Sequence, residues 1–466
     1  MIYIVGAGPG DSGLLTLRGY EVLRRADVVI YDHLVGEGIL AMIPESAERI
    51  DAGKFAGNHT MSQSEIESAM ITLAMSGKNV VRLKGGDPYI FGRGGEEAEA
   101  IIRAGLDFEV VPGVTSAISV PAYAGIPATH RDYCSGVSIF TAHDRDDMIP
   151  DFAGATSIFL MGVGNSESLQ ERLLYEMSPD TPCAIIQNGT TSLQRTFRTT
   201  ISGLSQTIAS NSIAPPSVIV AGKTAALNLS WRGKLPLVNK RIIITRPQGR
   251  AEKLSAMLRD MGAEVILMPT IKTSTIHGSL DGVDLSGYDW AGFTSVTGVE
   301  TLFEILAETG RDIRELGRAK IAAIGPATKD ALKSHGLKVD YMPEIFDGQH
   351  MAEGLANFGG KILMFRAENG TPEIQSAFIK YGIFADNICI YRTDYVKLSH
   401  VPSFADMIIF TSSSTVKGFA ENVTDMRESL AVCIGKQTAD EAMRAGFTKI
   451  RIAEQAAIEE IVKACT

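Results

Sequence analysis

The chain has 466 residues, 45% of them hydrophobic, and no apolar run long enough to span a bilayer, so it is expected to fold as a soluble protein of several domains with no membrane partner. Its formal net charge of −10, from 44 Lys and Arg against 54 Asp and Glu, argues against a nucleic-acid partner. The five cysteines Cys134, Cys183, Cys389, Cys433 and Cys465 are odd in number, scattered and free of ligand spacing, which points to reduced thiols in a cytoplasmic protein and to no metal site.

The first element is the apolar run Ile2-Tyr3-Ile4-Val5, read as a buried strand because it lacks the basic leading region of a signal peptide and passes straight into the turn Gly6-Ala7-Gly8-Pro9-Gly10-Asp11. Leu14, Leu15, Leu17, Val22, Leu23 and Ala26 then space as a helix. A dinucleotide fingerprint is excluded: the glycines run GxGxG instead of GxGxxG, and Pro9 stands where a phosphate-binding turn needs a free N–H. Val28-Val29-Ile30-Tyr31 is a second strand, and it ends at Asp32, where parallel sheets present functional groups. Its bland alternative is a helix or turn cap. Val81-Arg82-Leu83-Lys84 is a further strand, closing in Gly85-Gly86-Asp87-Pro88; Asp87 is placed to accept from a ligand amine or ribose, and Pro88 stiffens the turn. Two glycine turns after apolar runs bring bare backbone against one small nucleotide-like ligand. Met161 follows the apolar run Ile158-Phe159-Leu160, and its spacing alone reads as core.

These motifs, together with Gly53 to Gln63, Gly92-Arg93-Gly94-Gly95-Glu96-Glu97, Val111 to Ser116, and Gly125-Ile126-Pro127 leading into Thr129-His130-Arg131-Asp132-Tyr133, resemble the uroporphyrinogen-III C-methyltransferases of the tetrapyrrole methylase family from Met1 to about Arg232. The resemblance implies two α/β subdomains, about 1–112 and 113–232. It implies transfer of methyl groups from S-adenosyl-L-methionine to two pyrrole carbons of uroporphyrinogen III, giving precorrin-2 on the way to sirohaem or cobalamin, by a homodimer. By the same resemblance Pro9, Gly85, Gly86, Asp87, Ile90, Thr115, Ser116, Met161 and Gly189 line the cofactor pocket. Asp32 is the implied base, Lys54 the proton donor or a carboxylate clamp, and His59, Arg93, His130 and Arg131 the substrate contacts. Phe55 stands where family members often carry a second basic residue.

Periodicity lapses over Leu227 to Pro236 and restarts at Arg241-Ile242-Ile243-Ile244, so 233–238 reads as a linker. The second module, 239–466, carries a faint repeat of about 120 residues, too long for a solenoid period. Arg241 to Arg246 parallels Lys361 to Arg366, Phe293-Thr294-Ser295 parallels Phe410-Thr411-Ser412, and Ile324 to Thr328 parallels Ile434 to Thr438. In each, an apolar β-type run ends in small or hydroxyl residues before an amphipathic stretch, which is the pattern of strand, cap and helix in parallel α/β layers. The expectation is two similar lobes with parallel sheets, lobe A at 239–272 plus 396–466 and lobe B at 273–395.

Ile244-Thr245-Arg246-Pro247, Phe293-Thr294-Ser295, Ile324 to Thr328, Thr411-Ser412-Ser413 and Ile434 to Ala439 resemble uroporphyrinogen-III synthase. That resemblance implies cyclisation of hydroxymethylbilane with inversion of the last ring and no cofactor, with Tyr391 as acid and Arg246, Thr294, Ser295, Thr411 and Ser412 as substrate contacts. The competing reading is another corrinoid-pathway methylase fused to a non-catalytic tetrapyrrole-binding or sensing module.

Overall fold

A computed structural model describes residues 1–53, 61–142, 154–370 and 373–466. The chain divides into two units, one made of Met1–Met268, Leu398–Val416 and Ala420–Thr466, the other of Pro269–Lys397 with Lys417–Phe419.

The first unit opens with a parallel five-stranded sheet. Its strands are β1 (Ile2–Gly6), β2 (Val28–Tyr31), β3 (Glu48–Asp51), β4 (Val80–Lys84) and β5 (Phe108–Val111), in the order β3-β2-β4-β1-β5. Near-continuous aliphatic runs suit β1, β2 and β4 for burial on both faces. The helix expected from Leu14 begins at Leu17, capped by the Thr16 hydroxyl, and Leu14 closes a short 3-10 turn. The cause is local: the Asp11 carboxylate accepts from Gly13 N at 2.8 Å and ties off that turn first.

A second sheet follows: β6 (Gly136–Thr141), β7 (Ala155–Leu160), β8 (Pro182–Gln187), β9 (Arg195–Thr200) and β10 (Ser217–Ala221), in the order β6-β7-β10-β8-β9. Only β6 and β7 are parallel; the other three pairings are antiparallel. The helix Ser116–Tyr123 packs on this sheet, Ala117 and Val120 sharing a core with Ile158, Ile186 and Val220.

The remaining strands are β11 (Arg241–Ile244), β12 (Glu264–Leu267), β13 (Ile271–Thr275), β14 (Trp290–Phe293), β15 (Lys320–Ala323), β16 (Ile362–Ala367), β17 (Ala385–Tyr395), β18 (Met407–Phe410), β19 (Leu430–Cys433) and β20 (Ile450–Ile452). They form two sheets, β12-β11-β18-β19-β20 in the first unit and β13-β17-β16-β14-β15 in the second. The repeat is visible in this order: β11, β18 and β19 stand beside one another as β16, β14 and β15 do, and these triplets are the segments paired by the sequence repeat. The first of the two sheets is wholly parallel. The second departs from the expectation at one edge, where β13 runs antiparallel to β17 from Ile271↔Tyr395 to Thr275↔Tyr391. That pairing puts all of β13 in the second unit, so the boundary expected at 272/273 falls inside a strand.

Within the first unit a buried Arg241 joins Glu37, at 2.8 Å, to Glu264, at 3.0 Å. Glu264 also accepts from Ser192 N at 2.8 Å and from its Oγ at 2.6 Å, and Arg259 donates to Ser12 Oγ at 3.1 Å. Leu237, in the segment read as a linker, is buried with Ile242, Leu254 and Leu258. No helix among the described residues is long and apolar enough to cross a membrane.

Candidate functional site

The glycine turns after β1 and β4 meet. Gly86 N donates to Gly8 O at 2.7 Å and Gly8 N to Gly86 O at 3.1 Å, with both residues in the left-handed region at φ +67° and +75°. The turn after β5 closes on them: a Cβ on Gly113 would overlap Gly86 O and lie 2.7 Å from Gly6 Cα. Asp87 holds this junction, taking Gly113 N on Oδ2 at 3.0 Å and Tyr89 N on Oδ1 at 2.8 Å. Gly86 also lies against Thr115 and Ser116, and Gly189 against Val120 on the helix that they start. Asp11, next to the Pro9 turn, donates from its N–H to Thr190 Oγ1 at 3.2 Å and accepts from Tyr123 OH at 2.9 Å. Burial, reinforced by the Asp11 charge, pushes the Tyr123 phenol up, so it stays a donor.

The structure therefore gathers Pro9, Gly85, Gly86, Asp87, Thr115, Ser116 and Gly189 around neighbouring turns. Two of them carry structural duties as well: Thr115 Oγ1 caps its helix by accepting from Ala117 N, and Asp87 ties backbone to backbone. Ile90 is surface-exposed, and Met161 is not core, the residue being 45% exposed with its backbone at φ +58°.

Asp32 sits at the end of β2, its N–H bonded to Leu83 O of β4. Its carboxylate is no cap. It pairs with Arg82 Nη2, lies 3.7 Å from Lys84 Nζ, and keeps 31% of its side chain exposed. Behind it, Arg82 Nε and Lys84 Nζ both donate to Glu97 Oε1 at 2.9 Å, and Arg82 and Glu97 are 2% and 0% exposed. Two cations and two anions thus make a neutral buried chain with one end open. Lys54 and His59 lie outside the described residues. Arg93 pairs with Glu96 at the surface; His130 accepts from Asp132 N through Nδ1 and packs on Tyr133; Arg131 is exposed. Among the described residues no hydrogen bond or ion pair joins these three to Asp32.

In the first unit, parallel pairing of Ile244 with Ile409 sets Arg246 and Thr411 level, each two residues beyond its paired residue. Burial, with the Arg250 charge beside it, pulls the Arg246 guanidinium down from the usual arginine range. Ser412 Oγ accepts from Thr415 N at 3.3 Å. In the second unit Ser295 caps the helix Val296–Thr309, accepting from Gly298 N at 2.9 Å, and its hydroxyl shares a 2.9 Å hydrogen bond with Tyr391 OH. Thr294 precedes this cap at the end of β14. Arg366, buried at the end of β16, has its guanidinium pulled down by burial while Cys389 and Tyr391 act against that.

Residues 1–205 match the family model described as Tetrapyrrole (Corrin/Porphyrin) Methylases, and residues 252–463 match that of Uroporphyrinogen-III synthase HemD. The porphyrin biosynthesis protein HemD of Ruminiclostridium josui is 40% identical over 487 residues, which cover 99% of this chain and 96% of that protein. The chain belongs to the tetrapyrrole methylases, fused to a uroporphyrinogen-III synthase module. The fusion is also 37% identical over 350 residues to the uroporphyrinogen-III C-methyltransferase of Bacillus subtilis, covering 73% of this chain and 72% of that one. Its methylase part is 44% identical over 236 residues to the S-adenosyl-L-methionine-dependent uroporphyrinogen III methyltransferase of Methanosarcina barkeri, 49% of this chain and 92% of that one. Sequence reasoning about the fusion missed Arg82, Lys84, Glu97 and Arg366. Arg366 was signalled by its repeat partner Arg246; the other three were within quoted motifs, but their convergence depends on tertiary packing.

Proposed function

We propose that the methylase module, residues 1–232, transfers methyl groups from S-adenosyl-L-methionine to two pyrrole carbons of uroporphyrinogen III to give precorrin-2, and that residues 239–466 cyclise hydroxymethylbilane to uroporphyrinogen III without a cofactor. The observation that carries the first reading is the Asp32 carboxylate, held at one end of a buried ion chain beside the paired glycine turns.

The turns fit the cofactor: glycine backbones meet without side chains between them, Thr115 and Ser116 supply hydroxyls, and Met161 and Ile90 present exposed apolar surface. Bound S-adenosyl-L-methionine supplies a methyl group on an electrophilic sulfonium. The protein aligns that group with an electron-rich ring carbon and excludes water. Each methylated ring must then lose a proton, which Asp32 accepts while Arg82 and Lys84 orient the carboxylate. Lys54 is assigned as proton donor or carboxylate clamp, and His59, Arg93, His130 and Arg131 are assigned to the substrate carboxylates. Asp32→Asn keeps the shape and removes the base. It is expected to lower the methylation rate at least about 100-fold, as loss of a general base does, with adenosylhomocysteine affinity within threefold of the parent. A rate within twofold of the parent refutes the assignment.

In the synthase module Tyr391 gives its proton to the departing hydroxyl of hydroxymethylbilane, so that the carbon–oxygen bond breaks with release of water. The Ser295 hydroxyl holds the phenol by the 2.9 Å bond. Arg246, Thr411 and Ser412, and Thr294 with Ser295, are assigned to substrate contacts within their own lobes. Tyr391→Phe is expected to shift product from the type III isomer towards the spontaneous type I isomer, read by chromatography after oxidation to porphyrins. Type III production near that of the parent discards the acid role.

Five free cysteines support a cytoplasmic location. The methylase modules are further proposed to pair as a homodimer, for which sedimentation of the full chain should give twice the monomer mass; a monomer at micromolar concentration removes that proposal.

A further inference from the structure

The first unit contains a cavity of about 460 Å³ distinct from the glycine turns, walled in part by Tyr123, Gln194, Arg198, Asn228, Ser230 and Arg232, with no acidic residue in its lining. In a chain carrying a surplus of acids, a wall with two arginines and no carboxylate selects for an anion. Arg232 is 8% exposed, donates to Gly262 O at 3.1 Å and lies over the Tyr123 ring at 4.9 Å. Arg198 donates to Ala225 O at 2.5 Å and Ala124 O at 3.2 Å. Among the described residues these hydrogen bonds all go to carbonyls, and no ion pair joins either arginine to a carboxylate. Arg232 is buried, and buried charges in proteins are normally paired, because an uncompensated one forfeits its hydration; Arg198 is exposed and lines the same wall from β9. Each guanidinium carries five N–H donors in a fork suited to carboxylate, and most of these ten are not used by the carbonyls.

We propose that this cavity binds a small organic dicarboxylate, its charges on Arg198 and Arg232 and its body against the Tyr123 ring. The volume lies within the range of about 300–1,000 Å³ typical of small-molecule sites and would leave an inorganic phosphate largely surrounded by water. The occupant is also coupled to the cofactor turns. Gln194 accepts from Thr190 N at 2.8 Å and donates to Tyr123 O at 3.2 Å, while Thr190 and Tyr123 both bond Asp11, beside Pro9. A ligand that immobilises Tyr123 and Gln194 therefore changes cofactor affinity, and the reverse, by the same factor.

The test is titration calorimetry of the full chain with glutarate, with the uncharged glutaramide and with inorganic phosphate, all at constant ionic strength. Glutarate is expected to bind at least tenfold more tightly than glutaramide or phosphate, and Arg198→Gln to weaken it at least tenfold. Thr196→Leu, which narrows the cavity and leaves both arginines in place, should also weaken it tenfold and guards against misfolding of the arginine variant. Equal binding of glutarate and glutaramide, or glutarate affinity unchanged in Thr196→Leu, overturns the site. Saturating glutarate is expected to shift adenosylhomocysteine affinity at least threefold. That arm rests on the cofactor assignment whereas the binding arm does not, so the two can fail separately.

Discussion

Glu97→Ala is expected to destabilise the first unit by about 3–5 kcal/mol, the cost of breaking a buried pair by removing one partner. Glu97 is fully buried, and its Oε1 is the common acceptor of Arg82 and Lys84, with Gln63 Nε2 reaching the same oxygen at 3.4 Å. Without it two cations remain inside the sheet with only Asp32 to balance them. The loss is therefore larger than for a surface pair such as Arg93 with Glu96, where the same truncation should cost about 1 kcal/mol or less. Asp32 is expected to be drawn inward onto both cations, so methylation falls at least tenfold at temperatures where the variant is still folded. Urea unfolding followed by circular dichroism, with methylation measured on the same samples, separates the two effects. A shift in stability below about 1 kcal/mol would mean that the ion chain is solvated and does not position Asp32.

Gly113→Ala is expected to abolish most cofactor binding. The added methyl would meet Gly86 O and Gly6 Cα, both main-chain atoms that no rotamer change can move. The turns after β1, β4 and β5 would have to separate, at a cost of about 1–3 kcal/mol for overpacking. Because those turns are the proposed cradle, adenosylhomocysteine affinity should drop about 100-fold if 2.7 kcal/mol of that cost falls on the bound geometry. Gly95→Ala is the control. Its Cβ meets nothing within 4 Å and it lies in the helix Gly94–Arg103, so it should be neutral or slightly stabilising. Calorimetry on both variants decides the matter, and equal affinities would detach the ligand from these turns.

The glycine turns and the strand ending at Asp32 were legible because aliphatic runs closing in glycine mark buried parallel strands, and register then carries their ends to one edge. The duplicated lobes were legible for the same reason. Position 246 aligns with 366 by the repeat, and the strands reproduce the equivalence in their order. The ion chain was hidden. Arg82 and Lys84 alternate with apolar residues as in a strand with a solvated face, and only the helix carrying Glu97, packed over that face, makes them interior. Local hydrogen bonding also escapes sequence pattern: Asp87 and Thr115 read as ligand groups, yet both spend polar atoms on neighbouring N–H groups. The three antiparallel pairings of the second methylase sheet and the reversed β13 are set by long-range pairing, for which periodicity carries no direction.

One chain is proposed both to make uroporphyrinogen III and to methylate it. Incubating the pure full-length protein with hydroxymethylbilane and S-adenosyl-L-methionine, and analysing the tetrapyrrole by mass spectrometry, tests this most directly. The expected product is heavier than uroporphyrinogen III by two CH2 units, one proton leaving for each methyl gained; it is lost in Asp32→Asn, with unmethylated type III isomer accumulating in its place. An unmethylated product from the parent protein under saturating cofactor would contradict it.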